Sequence, residues 1–132
     1  MMPSPGRASW LGIALAMALL VAQTQANTLP SAARAEIGAL LSTLATSGCR
    51  FNRNGSWYSA SDARTHLQRK FDYLAGKDAI ASAEQFIERA ATQSSTTGRP
   101  YWVQCGGQAA EPSRVWLASQ LRAMRTQLAV PK

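Results

Sequence analysis

The chain has 132 residues, 14 basic and 7 acidic, with a formal net charge of +7, two cysteines and a single histidine. That length supports one modest core and excludes a multidomain machine. The cationic balance favours anionic neighbours. One histidine with no Cys-x-x-Cys spacing excludes an ordinary zinc site, and no cofactor-binding fingerprint is present.

Residues 1–26 have the layout of an export signal: Arg7 in a positive leader, a twelve-residue apolar run from Leu11 to Ala22, and small residues at Thr24 and Ala26. The run falls short of the about 20 residues that span a bilayer. The expectation is cleavage after Ala26, a periplasmic protein starting at Asn27, and no stable membrane insertion. Residues 27–132 then form one domain. Export also argues against nucleic acid as the partner of the basic charge, and the basic residues are scattered singly rather than clustered.

The first helix is predicted over Ser31–Ala45, with Ser31 as its cap. Ala33, Ile37, Leu40, Leu41 and Leu44 line one face, and Gly48 supplies a left-handed end. Cys49–Tyr58 is a hairpin, because two aromatic-containing runs flank Asn54-Gly55, the dipeptide best suited to a type I′ turn. Ser59-Ala60-Ser61-Asp62 offers acceptors for a second helix over about Asp62–Ala75, with Ala63, Leu67, Lys70, Phe71 and Leu74 on a face and Gly76 as its stop. Ser82-Ala83-Glu84-Gln85 fits a capping box for a third helix carrying Phe86, Ile87, Ala90 and Ala91.

Residues 94–100 are small, polar and broken by Gly98 and Pro100, which predicts an exposed connection. Pro100–Cys105 is a strand, with Tyr101 and Trp102 on opposite faces. Gly106-Gly107 turns the chain, and Pro112 opens a last helix, Ser113–Leu128, carrying Trp116, Leu117, Leu121, Met124 and Leu128. The fold class is α+β: about four helices packed on a short antiparallel sheet made of hairpin 49–58 and strand 100–105. In an oxidising compartment Cys49 and Cys105 pair with each other, tying the two strand regions together.

Four blocks carry a family resemblance: Phe51-x-Arg53-Asn54-Gly55, Ala63-x-x-His66-Leu67-x-x-Lys70, Ser82-Ala83-Glu84-x-Phe86-Ile87 and Ser94-Ser95-x-x-Gly98-x-Pro100-Tyr101. In this order and at these distances the chain resembles the YfeK-like family of small exported bacterial proteins. The resemblance covers roughly Glu36 to Val103, implies a single periplasmic domain and supplies no reaction. The cysteine pair is not part of the shared pattern, so the disulfide rests on this sequence and its compartment.

Two function classes follow. In the first the domain is a non-catalytic binding or inhibitor module of the cell envelope, contacting an anionic polymer or a periplasmic protein. Arg53, Lys70 and Arg99 would form an anion-binding corner at the hairpin tip, with Asn54, Gly55, His66, Ser94, Ser95 and Tyr101 as further contact residues. In the second it is a small hydrolase, with His66 activating Ser94 or Ser95 and Glu84 or Asp62 orienting the imidazole. The second lacks a Gly-x-Ser-x-Gly elbow and a glycine-rich oxyanion loop. The position of His66 relative to a serine hydroxyl separates the two.

Overall fold

The computed structural model describes residues 2–6, 19–20 and 29–129. The expected export signal therefore lies mostly outside the described residues. Among those described, no helix is long and apolar enough to cross a membrane.

Helix α1 (Ser31–Thr46) buries Ala33, Ile37, Leu40, Leu41 and Leu44, the five positions that its periodicity marks. Its cap is Pro30, not Ser31, and no side chain bonds the first amides there. The chain leaves the helix through Gly48 at φ 69°, a conformation in which a side chain would be strained.

Strands β1 (Arg50–Arg53) and β2 (Ser56–Tyr58) pair antiparallel, Phe51 opposite Tyr58 and Asn52 opposite Trp57. Between them Asn54 and Gly55 take φ 52° and 85°, the two positive values a type I′ turn needs. On its other side β1 pairs antiparallel with β3 (Trp102–Gln104), Arg50 opposite Gln104 and Asn52 opposite Trp102. The Cys49–Cys105 disulfide, S–S 1.98 Å, joins the pair next in register.

A fourth strand, β4 (Glu111–Pro112), pairs with β3 and completes the order β2-β1-β3-β4. It corrects the expected three-strand sheet. Two residues carry no readable alternation, and a proline, which cannot donate to a ladder, reads as a helix entrance. It is both here, since α4 (Ser113–Ala129) follows directly.

Helix α2 (Ala60–Gly76) starts two residues earlier than expected, capped by Ser59, whose Oγ accepts from the Asp62 amide at 3.1 Å. Gly76 is not its stop. The left-handed residue is Asp78, φ 53°, and the Ala79 amide closes the end by donating to the Leu74 carbonyl. In α3 (Ala83–Ala90) the capping box is reciprocal: Ser82 Oγ accepts from the Gln85 amide, and Gln85 Oε1 accepts from the Ala81 amide. On α4, Ser113, Trp116, Leu117 and Leu121 are buried and Met124 is partly so. The apolar face ends there, because Leu128 is exposed.

The core fills the space between the four helices and one face of the sheet. Ile37, Leu40, Leu44, Ile80, Phe86, Val103 and Leu117 are its fully buried large side chains. Edge-to-face ring pairs, Phe71 with Phe86 and Phe51 with Trp116, each at 5.8 Å, bind α2 to α3 and β1 to α4. The disulfide crosses 56 residues of sequence, so by loop-closure entropy it contributes about 4 kcal/mol. Cys49→Ser/Cys105→Ser is expected to lower unfolding stability by that order in denaturant melts under oxidising conditions. With reductant present, mutant and parent should melt together; an equal deficit in both conditions would mean the cysteines act by packing alone.

Candidate functional site

In β1, Phe51 turns into the core, and Arg53, two residues on, stands on the same face where the strand runs out over α2. Helix α2 presents His66 and, one turn later, Lys70 towards it. Tyr101, buried at the entrance to β3, supplies the third side. The contacts form a chain. Tyr58 OH accepts from Arg53 Nη2 at 3.4 Å, and Arg53 Nη1 lies 2.9 Å from His66 Nδ1. His66 Nε2 lies 3.1 Å from Tyr101 OH, and Lys70 Nζ donates to the same hydroxyl at 3.1 Å and to the Gln93 carbonyl at 3.0 Å. The two cations also lie over aromatic rings, Arg53 at 5.0 Å from the Tyr58 centroid and Lys70 at 4.9 Å from that of Tyr101.

Proton bookkeeping fixes the direction of each bond. A guanidinium only donates, and it approaches the ring more closely at Nδ1, 2.9 Å against 3.4 Å at Nε2, which makes Nδ1 the acceptor and assigns the single ring proton to Nε2, donated to Tyr101. Tyr101 then accepts twice, from His66 and from Lys70, and its own hydroxyl proton is left over. Tyr58 is in the same position, accepting from Arg53 with its proton unspent. Each of the four side chains Arg53, Lys70, Tyr58 and Tyr101 therefore keeps at least one donor proton that the network does not use.

The electrostatics agree with that tautomer. Burial, followed by the charges of Arg53, Lys70 and Arg69, pushes the His66 pKa down to about 4, so the imidazole is neutral near pH 7. Burial and Arg53 lower Lys70, and burial raises Tyr101. Among the described residues no carboxylate forms an ion pair with Arg53 or Lys70. A cavity of about 240 Å³ opens beside the network. Phe51, Leu67 and Tyr58 give it apolar walls, His66 and Tyr101 line it, and Arg69 and Asp62 stand on the α2 side.

The remaining expected site residues gather elsewhere. Asn54 Nδ2 donates to Ser94 Oγ at 3.3 Å and Asn54 Oδ1 accepts from Thr97 at 2.6 Å, so the hairpin tip is clamped to the loop after α3. Arg99 lies flat over Gly55: a Cβ there would sit 3.6 Å from both terminal guanidinium nitrogens. The corner expected from Arg53, Lys70 and Arg99 thus separates into an Arg53–Lys70 site and an Arg99-covered tip. Ser94 is buried in what reads as an exposed connection, because its hydroxyl is the hub of that clamp. Ser95 is exposed and takes no part. At the end of α3 the Thr92 hydroxyl donates to the Ile87 carbonyl at 2.8 Å.

The hydrolytic cast is not assembled. His66 spends both nitrogens on Arg53 and Tyr101, Ser94 Oγ is engaged by Asn54, Thr96 and Thr97, and Glu84 pairs with Arg125 together with Glu36. Hydrogen bonds from Arg125 hold both of those carboxyls below the usual carboxylate range. Among the described residues no group of His, Cys, Asp or Glu is placed to hold a metal ion. Sequence reading missed Tyr58, although its place opposite Phe51 in the hairpin register puts it on the face that carries Arg53.

The depressed His66 pKa makes stability depend on pH in one direction. The histidine titrates near 6.5 when unfolded and at about 4 when folded, so between those values the unfolded chain binds the extra proton. Thermal stability is expected to fall as pH drops from about 6.5 to about 4, and His66→Gln, which does not titrate, should flatten that slope. Parallel melting curves for the two proteins across the interval would contradict the assignment.

Residues 31–125 match a family of unknown function, DUF5329. The chain is also similar to Uncharacterized protein YfeK of Salmonella typhimurium, 40% identical over 68 residues, 51% of this chain and 55% of the relative. The chain thus spans about half the length of the curated relative it matches. No solved structure matches it. The family match begins with α1, ends at Arg125 and takes in both cysteines and the whole His66 pocket. This protein belongs to the DUF5329 family, the YfeK-like proteins of unknown function.

Proposed function

We propose that the protein is a non-catalytic binding module of the periplasmic envelope, which grips an anionic group, a carboxylate or a phosphate, of an envelope polymer or a partner protein in the His66 pocket. The observation that carries this reading is the direction of the hydrogen bonds. With His66 neutral, the pocket confronts a ligand with the unspent hydroxyl protons of Tyr58 and Tyr101 and the remaining N–H groups of Arg53, beside apolar walls, and Lys70 adds its charge from behind Tyr101. Residues 27–132 keep 13 basic side chains against 7 acidic ones once Arg7 is left out, and this excess draws anions to the surface over a longer range. The disulfide supports an oxidising compartment, in line with the signal-like residues 1–26. General-base chemistry has the opposite requirement, since His66 would have to take up a proton between Arg53 and Lys70.

His66 is the chain's only histidine and reports on the pocket directly. In an NMR titration of its ring protons, sulfate, which keeps its charge over the relevant range, is expected to raise the His66 pKa above the value found in chloride of equal ionic strength. Arg53→Gln/Lys70→Gln should abolish that difference and the retention of the protein on an anionic envelope fraction. Arg64→Gln/Arg122→Gln removes the same charge elsewhere and should weaken retention only slightly. If both pairs lose retention equally, bulk charge is responsible and the pocket is not the site.

A further inference from the structure

The sheet has two faces, and the side chains of the His66 network stand on the one that meets the helices. Phe51 and Val103 point into the core, so alternation puts Asn52, Trp57 and Trp102 on the other face. Register then aligns them in one row, because Asn52 is opposite Trp57 on one side and opposite Trp102 on the other. Each indole is 38% exposed, whereas Trp116 in the core is 7%. Two strand spacings separate them, about 9.6 Å. In the next row Arg50 is opposite Gln104, and the Arg50 guanidinium lies 5.7 Å from the Trp57 ring centroid. Asn52 Oδ1 accepts from the Gly55 amide at 3.3 Å, which orients the carboxamide and leaves its Nδ2 protons for a partner.

Tryptophan and arginine are also enriched at protein interfaces, so what favours another partner here is the polar amide set between the two indoles in a single row. Such a row matches the chemistry of a sugar chain. A pyranose ring has an apolar C–H face that stacks on the negative face of an indole, and an equatorial rim of hydroxyls that seek planar amides. The separation of the two tryptophans is about the length of two linked sugar rings, and both are held by paired strands. The strand residues on this face include one charge, the cation of Arg50, and no carboxylate; Glu111 is opposite Val103 and belongs to the other side. Charge complementarity therefore selects an acidic sugar.

We infer that the Trp57–Asn52–Trp102 row binds a strand of acidic polysaccharide, with every other ring on an indole, a hydroxyl of the ring between them on Asn52 and a carboxylate on Arg50. This surface and the His66 pocket lie on opposite faces of the sheet, and the inference stands whether or not the pocket holds an anion.

The test is calorimetric titration of the full chain with a short oligogalacturonate and with an uncharged cello-oligosaccharide of the same length. The acidic oligomer is expected to bind more tightly. Trp57→Ala and Trp102→Ala should each weaken it by about tenfold or more, while the phenylalanine variants, which keep an aromatic plane and the strand propensity, retain part of the affinity. Arg50→Gln should bring the acidic oligomer down to the level of the neutral one, and Arg122→Gln, which lies in neither the row nor the His66 pocket, should leave the preference for the acidic oligomer in place. Absence of binding by the acidic oligomer, or undiminished affinity in folded alanine variants, overturns the inference. So does a dimer in sedimentation that Trp57→Ala dissolves, since a second copy would then be what covers the row.

Discussion

The pairing of β1 with β3 decides where every functional side chain in this protein lies. Strand side chains alternate, so a slip of one residue would carry Arg53 and Phe51 to the open face and turn Asn52 towards the helices. Short strands specify register weakly, because three or four residues offer few side-chain pairs to tell one alignment from the next. The disulfide removes the ambiguity. It joins Cys49 to Cys105, directly beyond the Arg50–Gln104 pair, and only one alignment of the strands satisfies both. The hairpin turn fixes β2 against β1 in the same way from the other end. Pocket and tryptophan row are thus two readings of one register.

Within the pocket the organising constraint is a cation beside a base. A guanidinium can approach an imidazole nitrogen only if that nitrogen keeps its lone pair, and Arg53 therefore dictates the tautomer of His66. From there the order passes to Tyr101, which accepts from both His66 and Lys70. Like charges held this close cost stability. They are made tolerable by the rings of Tyr58 and Tyr101, by the Gln93 carbonyl and by partial exposure to water. The contrast with Arg125, neutralised by Glu36 and Glu84 on another part of the surface, shows that the fold can pair a cation fully when nothing else is asked of it.

Much of this architecture is legible in the sequence because its signals are local. The face of α1, the Ser82 capping box and the Asn54-Gly55 turn each depend on residues a few positions apart, and each forms. The disulfide between Cys49 and Cys105 is readable from the count of two cysteines and the expectation of export. What escaped reading depends on distant parts of the chain. Ser94 looks like a linker residue until Asn54, 40 positions earlier, donates to it. Arg99 appears to belong with Arg53 and Lys70 by charge, yet the turn at Gly55 takes it. Leu128 continues the period of α4, but the core ends before the helix does. The two-residue strand β4 has too little pattern to be recognised, and the alignment of Trp57 with Trp102 exists only once the register is known.

The clamp on the hairpin tip bears on how the molecule ages. An asparagine before glycine is the most chemically fragile dipeptide of a polypeptide, because nothing shields the following amide from closing onto the carboxamide and converting it to aspartate. Here both ends of the Asn54 carboxamide are occupied, the nitrogen on Ser94 and the oxygen on Thr97, and Arg99 roofs the glycine. The loop that shapes the tip is also its preservative, and a chain that loosened residues 94–99 would lose its turn to slow hydrolysis as well as to motion.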